Sequence, residues 1–363
     1  MPTIPAAGES PREDVVEDVF GLLRVLSDGT ILRSPDPPAF CPKTFPTEHP
    51  SVQWKEAVYD KPNDLRVRIY KPAADMAMAE EKKQKLPVLV YFHGGGFCIG
   101  SCTWANTHSF CLRLAADAGA VVLSAGYRLA PEHRLPAALH DAAGVLAWLS
   151  AQQQQQSAGD EDGDTWCLAE VADFRRVFVT GDSAGGTLAH HLAVSFGSGE
   201  KEKAALVSND VTVKGYVLLM PFFGGEKRTA SEEAESPTTF PPPLMSLDTL
   251  DRYWRLALPA GATRDHPLAN PFGANSPGLE AVELPPVLAV AAGQDMLRDR
   301  VVDYVERLKA MGKPVELVEF AAEPHGFFTL DPWNHATGEL IRLLRRFVHG
   351  DAACGVDGPK TAA

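Results

Sequence analysis

No apolar run in this sequence approaches the roughly 20 residues that a membrane-spanning helix needs, so no transmembrane segment is expected. Residues Met1 to Glu13 hold acid and proline where a secretory signal would have its apolar core, so no ordinary signal is expected either. Cysteine is scarce, at 6 in 363 residues. Cys98, Cys102 and Cys111 cluster, but no paired C-x-x-C steps with histidines accompany them. Reduced thiols, no metal, and the cytosol with the nucleus are the corresponding expectations. Basic charge is also short: 34 Lys and Arg face 47 Asp and Glu, a net charge of −13. A nucleic acid would be repelled, whereas a small neutral or cationic molecule is tolerated.

What the sequence does contain is a strand, a turn and a helix around one serine. Arg176-Val177-Phe178-Val179-Thr180 is an apolar run, and Gly181-Asp182-Ser183-Ala184-Gly185 follows it directly. This G-x-S-x-G arrangement is a nucleophile elbow, in which a sharp turn exposes the serine at the end of a sheet. Alone it is a weak signal, since a plain strand-to-helix turn explains it about as well. Upstream, Leu86 to Phe92 reads as a buried strand ending in His93-Gly94-Gly95-Gly96-Phe97. Glycines there let backbone N–H groups turn inward toward an oxyanion, and Gly94, Gly95 and Ala184 are the expected donors. A phosphate-binding loop would continue in Gly-Lys-Ser/Thr or space its glycines as G-x-G-x-x-G, and this stretch does neither.

Two further residues complete the chemistry. Pro286 to Gly293 reads as a buried strand with Asp295 just past its carboxyl end, where open α/β sheets gather their active groups. Asp299 is a rival acid, but one turn into the following helix it is better placed for a salt bridge. Val315 to Phe320 alternates as a strand and leads to His325 in the loop beyond. His190 and His191 lie on the helix behind the elbow and read as packing residues; His93 reads as loop-shaping. The order Ser183, Asp295, His325 is the nucleophile–acid–histidine order of the α/β-hydrolase fold.

His93-Gly94-Gly95-Gly96-Phe97, Tyr127-Arg128-Leu129-Ala130-Pro131-Glu132-His133, Gly181 to Gly186 and His325-Gly326-Phe327 resemble the hormone-sensitive-lipase-like branch of plant carboxylesterases, which also holds the gibberellin receptors. Phe222 to Glu226 and Gly261 to His266 resemble, within it, the group called plant carboxylesterase fifteen. The resemblance runs from about Asp14 to about Phe347. It implies a cofactor-free serine esterase acting on a small ester or lactone, with a strigolactone-type butenolide as one candidate substrate; it leaves the protein partner open. It also implies an N-terminal segment that covers the site as a lid. The gibberellin receptors lack the triad histidine and some dehydratases of the branch carry threonine as nucleophile. This chain has His325 and Ser183, which favours hydrolysis over hormone binding or dehydration. Thr187 stands where many relatives have asparagine.

The expected architecture is an α/β-hydrolase fold: a mostly parallel central sheet, helices on both faces, an N-terminal lid over 1–50, a core over 51–350 with a cap insertion at about 224–273, and a disordered tail over 351–363. Arg12 to Leu26 reads as an amphipathic helix, through Val15, Val16, Val19, Phe20, Leu22 and Leu23. Ser27-Asp28-Gly29 reads as a hairpin turn, and Val52–Tyr59 with Leu65–Tyr70 as an antiparallel pair. Strands are expected at Leu86–Phe92, Val121–Ala125, Arg176–Thr180, Lys214–Met220, Pro286–Ala292 and Val315–Phe320. Residues 74–85 and the glutamine-rich stretch 151–164 read as surface loops. In the cap, Leu247 to Leu258 reads as a helix, with Phe240, Tyr253 and Trp254 as its aromatics. Gly96, Phe223 and Phe328 are the expected substrate-pocket residues.

Overall fold

The structure is a computed structural model that describes residues 14–34, 45–73, 85–154, 167–199, 211–234 and 245–350. The chain forms two units, Met1–Pro42 and Lys43–Ala363.

The described part of the first unit is a three-stranded antiparallel sheet: β1 (Val15–Val19), β2 (Leu23–Leu26) and β3 (Ile31–Arg33). The helix expected over Arg12 to Leu26 is not formed by its described part. Phe20 and Gly21 both take positive φ, 55° and 70°, and Asp18 Oδ1 accepts the Gly21 N–H at 2.6 Å. That turn reverses the chain where a helix would have to continue. The β-branched valines beside it are stiff in a helix and favour extended backbone. The apolar spacing that suggests a helical stripe is shared between two short strands. The hairpin at Ser27-Asp28-Gly29 is present, with Gly29 at φ 88° and Val25 opposite Ile31.

The second unit is built on an eight-stranded sheet of order β11-β10-β9-β8-β6-β7-β5-β4. Its members are β4 (Val52–Asp60), β5 (Leu65–Pro72), β6 (Leu86–Phe92), β7 (Val121–Ala125), β8 (Ala172–Asp182), β9 (Val213–Leu219), β10 (Val287–Ala292) and β11 (Val315–Phe320). The β4/β5 and β5/β7 pairs are antiparallel; every other pair is parallel. The central strands are apolar at nearly every position because parallel strands are covered on both faces. β6, β7 and β10 are buried almost end to end.

Helices α1 (Ala105–Ala118), α2 (Ala137–Gln154), α3 (Leu168–Val171), α4 (Ala184–Gly197), α5 (Ala230–Glu233), α6 (Leu247–Ala257), α7 (Arg298–Ala310), α8 (Phe327–Leu330) and α9 (His335–His349) are distributed around this sheet. Leu89, Tyr91, Val122, Val217 and Leu288 face Phe110 and Leu114 of α1 and Leu340 and Leu344 of α9. Alternate residues such as Val88 and Val90 point to the other face, where α2 and α4 pack together against β8. α5 and α6 occupy the expected cap insertion between β9 and β10. Tyr253 and Trp254 of α6 are buried there, and Trp254 stacks on Phe222 at 4.2 Å. Phe240, residues 74–84, 155–166 and the tail 351–363 lie outside the described residues.

Candidate active site

Strand β8 delivers Ser183 into the first turn of α4 with φ 51° and ψ −116°, a sparsely populated conformation for a non-glycine residue. Glycine at positions 181 and 185 makes that turn possible. A Cβ on Gly185 would lie well under 3.0 Å from the Phe92 carbonyl oxygen, and one on Gly181 would strike the Gly185 backbone. The start of α4 thus comes closer to the end of β6 than any side chain permits. The Ser183 N–H is held by Leu219 O and its carbonyl by the Phe222 N–H, both at 2.9 Å. Gly185→Ala is expected to unseat the elbow by more than the roughly 1–3 kcal/mol of an ordinary overpacked core. A melting curve checks this; an unchanged melting temperature with full activity would contradict it.

Asp295 lies three residues beyond Ala292, the end of β10, with its side chain fully buried. Its Oδ1 accepts the Leu297 N–H at 2.9 Å and its Oδ2 meets His325 Nδ1 at 2.7 Å. An ionised carboxylate only accepts, so Nδ1 carries the proton and the neutral ring keeps its lone pair on Nε2. The loop bearing His325 is pinned at the serine end of the sheet, since the Gly326 N–H reaches Met220 Sδ at 3.4 Å, one residue past Leu219. The rival acid Asp299 is committed elsewhere: it accepts the Ser231 N–H at 2.8 Å and pairs with Arg298 at 3.0 Å.

Burial by itself lowers the pKa of His325, but the charge and hydrogen bond of Asp295, with the charge of Asp182, outweigh it and hold the imidazole above its ordinary value. A general base must be neutral, so its action is absent below that raised pKa and reaches a plateau above it. A kcat/KM profile is therefore expected to rise with pH through a midpoint above the usual histidine value of about 6.5; a midpoint below it would contradict this arrangement.

The loop after β6 turns sharply. Gly95, Gly96 and Phe97 take φ of 114°, 59° and 63° in succession. Successive amides in such a conformation converge on a concavity that suits an anion. Among the described residues, no internal acceptor takes the amides of Gly95, Gly96 or Ala184. Ala184 is the first residue of α4, where the helix dipole adds to the attraction for negative charge.

The model of the alpha/beta hydrolase fold family matches residues 89–329, more than half of the chain, and that of the carboxylesterase family matches residues 33–131. The chain belongs to the alpha/beta hydrolase fold family. It is an esterase-family member related to plant carboxylesterases and to gibberellin receptors. Probable carboxylesterase 6 of Arabidopsis thaliana is 38% identical over 71% of this chain and 69% of its own length. The gibberellin receptor GID1B of the same plant is 35% identical over 80% and 76%. Among solved structures, the esterase of Pyrobaculum calidifontis superposes with a TM-score of 0.65 at 28% identity, covering 84% of this chain and 87% of that one.

Several expected site residues of this hydrolase take other places. The Gly94 N–H is directed at the Asp182 carboxylate, which withdraws it from the expected oxyanion set. Gly96 stays in the glycine loop as a backbone position: its α-carbon lies against the Tyr253 ring, which a Cβ at 96 would penetrate. Phe223 packs on Tyr304 at 4.9 Å and edge-on to His190 at 5.4 Å. It lines a cavity of about 560 Å³ beside α7, together with Arg300, Phe272 and Tyr304 but without Ser183 or His325. Phe328 has no exposed surface and packs on Phe110 at 4.6 Å, so it belongs to the core beneath α1. Both phenylalanines follow strands near the active end of the sheet, but sequence position does not reveal which way a ring turns.

The histidines set aside in the sequence have structural partners. His93 stacks on Tyr127 at 4.4 Å and burial holds its pKa down to about 4. His190 meets the Tyr304 hydroxyl at 2.9 Å and His191 the Leu268 carbonyl at 3.1 Å. Thr187 donates to the Phe222 carbonyl at 2.7 Å, bracing the turn behind the serine. Sequence reasoning passed over Asp182 and Tyr91, whose side chains meet in the core under the elbow. A carboxylate inside the G-x-S-x-G turn, at the end of an apolar strand, was the available signal.

Proposed function

We propose that this chain is a serine carboxylesterase that uses Ser183, His325 and Asp295 to hydrolyse a small apolar ester or lactone. The observation that carries the reading is the Asp295–His325 pair at 2.7 Å; the strained elbow at Ser183 supports it. His325 Nε2 takes the Ser183 hydroxyl proton as Oγ bonds to the ester carbonyl carbon. The carbonyl oxygen becomes an oxyanion, received by the amides of Gly95, Gly96 and Ala184. Each such donor is worth about 3 kcal/mol in enzymes of this chemistry. The imidazolium, steadied by Asp295, then protonates the departing alkoxide, leaving an acyl-serine. A water molecule, deprotonated by the same imidazole, attacks the acyl carbon, and serine and a carboxylic acid are released.

Within that class, the specific substrate we propose is a butenolide ester of the strigolactone type, on the resemblance set out from the sequence. The competing reading is a hormone-binding protein, favoured by the 35% identity to GID1B. Its discriminator is His325, which a protein that only binds has no need to hold in line with a buried carboxylate. Incubation of the purified chain with p-nitrophenyl acetate and with a synthetic butenolide ester, followed by mass spectrometry, tests both. Acid and alcohol products from both are expected. Binding of the butenolide without products from either ester would support the receptor reading and sink the esterase. Cleavage of the aryl ester alone would keep the esterase and discard the butenolide.

A further inference from the structure

Asp182 is a buried ionisable group that the triad does not use. It occupies the last position of β8, directly before Ser183, and is 7% exposed. Burying a carboxylate is costly unless it is hydrogen-bonded: burial pushes the Asp182 pKa up, and the hydrogen bonds it accepts oppose that rise. Oδ1 accepts the hydroxyl of Tyr91, a fully buried residue on the neighbouring strand β6. The Gly94 N–H is directed at the same carboxylate. A Cβ on Gly94 would lie well under 3.0 Å from Oδ2, so only glycine lets the loop come this near. One side chain thus ties the elbow to the strand that precedes the glycine loop and to the first amide of that loop.

We infer that Asp182, braced by Tyr91, is a positioning residue of the acylation step: by holding the Gly94 amide it aims the following Gly95 and Gly96 amides at the developing oxyanion, and it supplies a second negative charge beside the His325 imidazolium. The inference rests on the esterase reading above. The geometry explains why the first glycine of the loop is directed at Asp182 while the next two have no acceptor among the described residues: Gly94 is the loop's anchor. The charged groups acting on His325 are Asp295, from the loop after β10, and Asp182, from the end of β8. With Asp295 bonded to Nδ1, Asp182 can act only through its field and through the loop.

Asp182→Asn and Tyr91→Phe in the full chain test these two actions. Asparagine keeps the shape and one acceptor but deletes the charge; phenylalanine removes the brace and, with it, a hydrogen bond that holds the pKa of the buried carboxylate down. With p-nitrophenyl acetate, Asp182→Asn is expected to lower kcat roughly 10- to 100-fold with KM within about twofold, the size of effect that slight misplacement of reacting groups produces. The affinity for an aryl boronic acid, which forms a tetrahedral serine adduct, should fall in step with kcat. The kcat/KM midpoint should move to lower pH, because the imidazolium loses a stabilising charge. Tyr91→Phe should lower kcat and boronate affinity, with a midpoint shift in the same direction as that of Asp182→Asn but smaller, because the carboxylate stays in place and loses only one hydrogen bond. Active-site titration with a fluorophosphonate corrects for misfolded protein, and if Asp182→Asn does not fold, Tyr91→Phe carries the test.

Unchanged kcat and boronate affinity per titrated site in the variants, with wild type active, would overturn the positioning role alone. A wild-type chain that neither cleaves the ester nor forms the boronate adduct would overturn the esterase reading, and this inference with it.

Discussion

Ser183→Ala should abolish ester hydrolysis, with a loss on the order of a million-fold if the three residues act as a unit, while the melting temperature stays near that of wild type. Alanine fits the elbow, because the φ of 51° strains serine and alanine alike and the serine side chain makes no cap bond to α4. What disappears is the hydroxyl alone. The amides of Gly95, Gly96 and Ala184 would still polarise a bound ester, so a small residual rate above water is expected. The check is kcat/KM with an aryl acetate beside a thermal melt. Turnover near the wild-type rate would remove Ser183 from the nucleophile's role.

Asp295→Asn is expected to cost on the order of 10⁴-fold in kcat, by the tautomer argument established for triads of this type. The carboxylate now fixes the proton on His325 Nδ1 through the 2.7 Å contact. An amide that turns its N–H toward Nδ1 favours the proton on Nε2, the atom that must receive the serine proton. The same change deletes one of the two charges that hold the imidazole pKa up. Any remaining activity should therefore show a midpoint at lower pH. A loss of less than tenfold would show that another group orients the histidine.

The two variants report on different links. Ser183→Ala tests the chemistry, whereas Asp295→Asn tests the geometry that makes His325 a base. Gly185→Ala tests the backbone approach that makes the elbow possible, and a loss of folding there would leave the assignment of the nucleophile untouched.

Much of the site was legible in the chain because it is encoded by local turns. The strands Leu86–Phe92, Val121–Ala125 and Val315–Phe320 form with the expected bounds, since continuous or alternating apolar runs leave the backbone few other solutions. Ser183, Asp295 and His325 each follow a strand, and parallel strands bring all their carboxyl ends to one edge. The N-terminal segment forms strands instead of the expected helix, because its apolar residues fit a period of 3.6 only by coincidence. The decisive features were local but small: an Asp18 carboxylate positioned to accept the Gly21 N–H, and two residues with positive φ.

The sequence by itself determined most of the strands, the elbow, and an acid and a histidine placed after strands of the same parallel sheet, because spacing along a chain decides which groups can leave a sheet at its carboxyl end. Only the tertiary structure decided orientation. It turned Phe328 into the core and Phe223 toward Tyr304, and it directed the Gly94 amide at Asp182 while giving those of Gly95 and Gly96 no acceptor among the described residues. These outcomes depend on contacts between residues far apart in the chain, such as Tyr91 with Asp182 and Phe110 with Phe328. Close packing, which no local pattern records, selects among the directions each backbone allows.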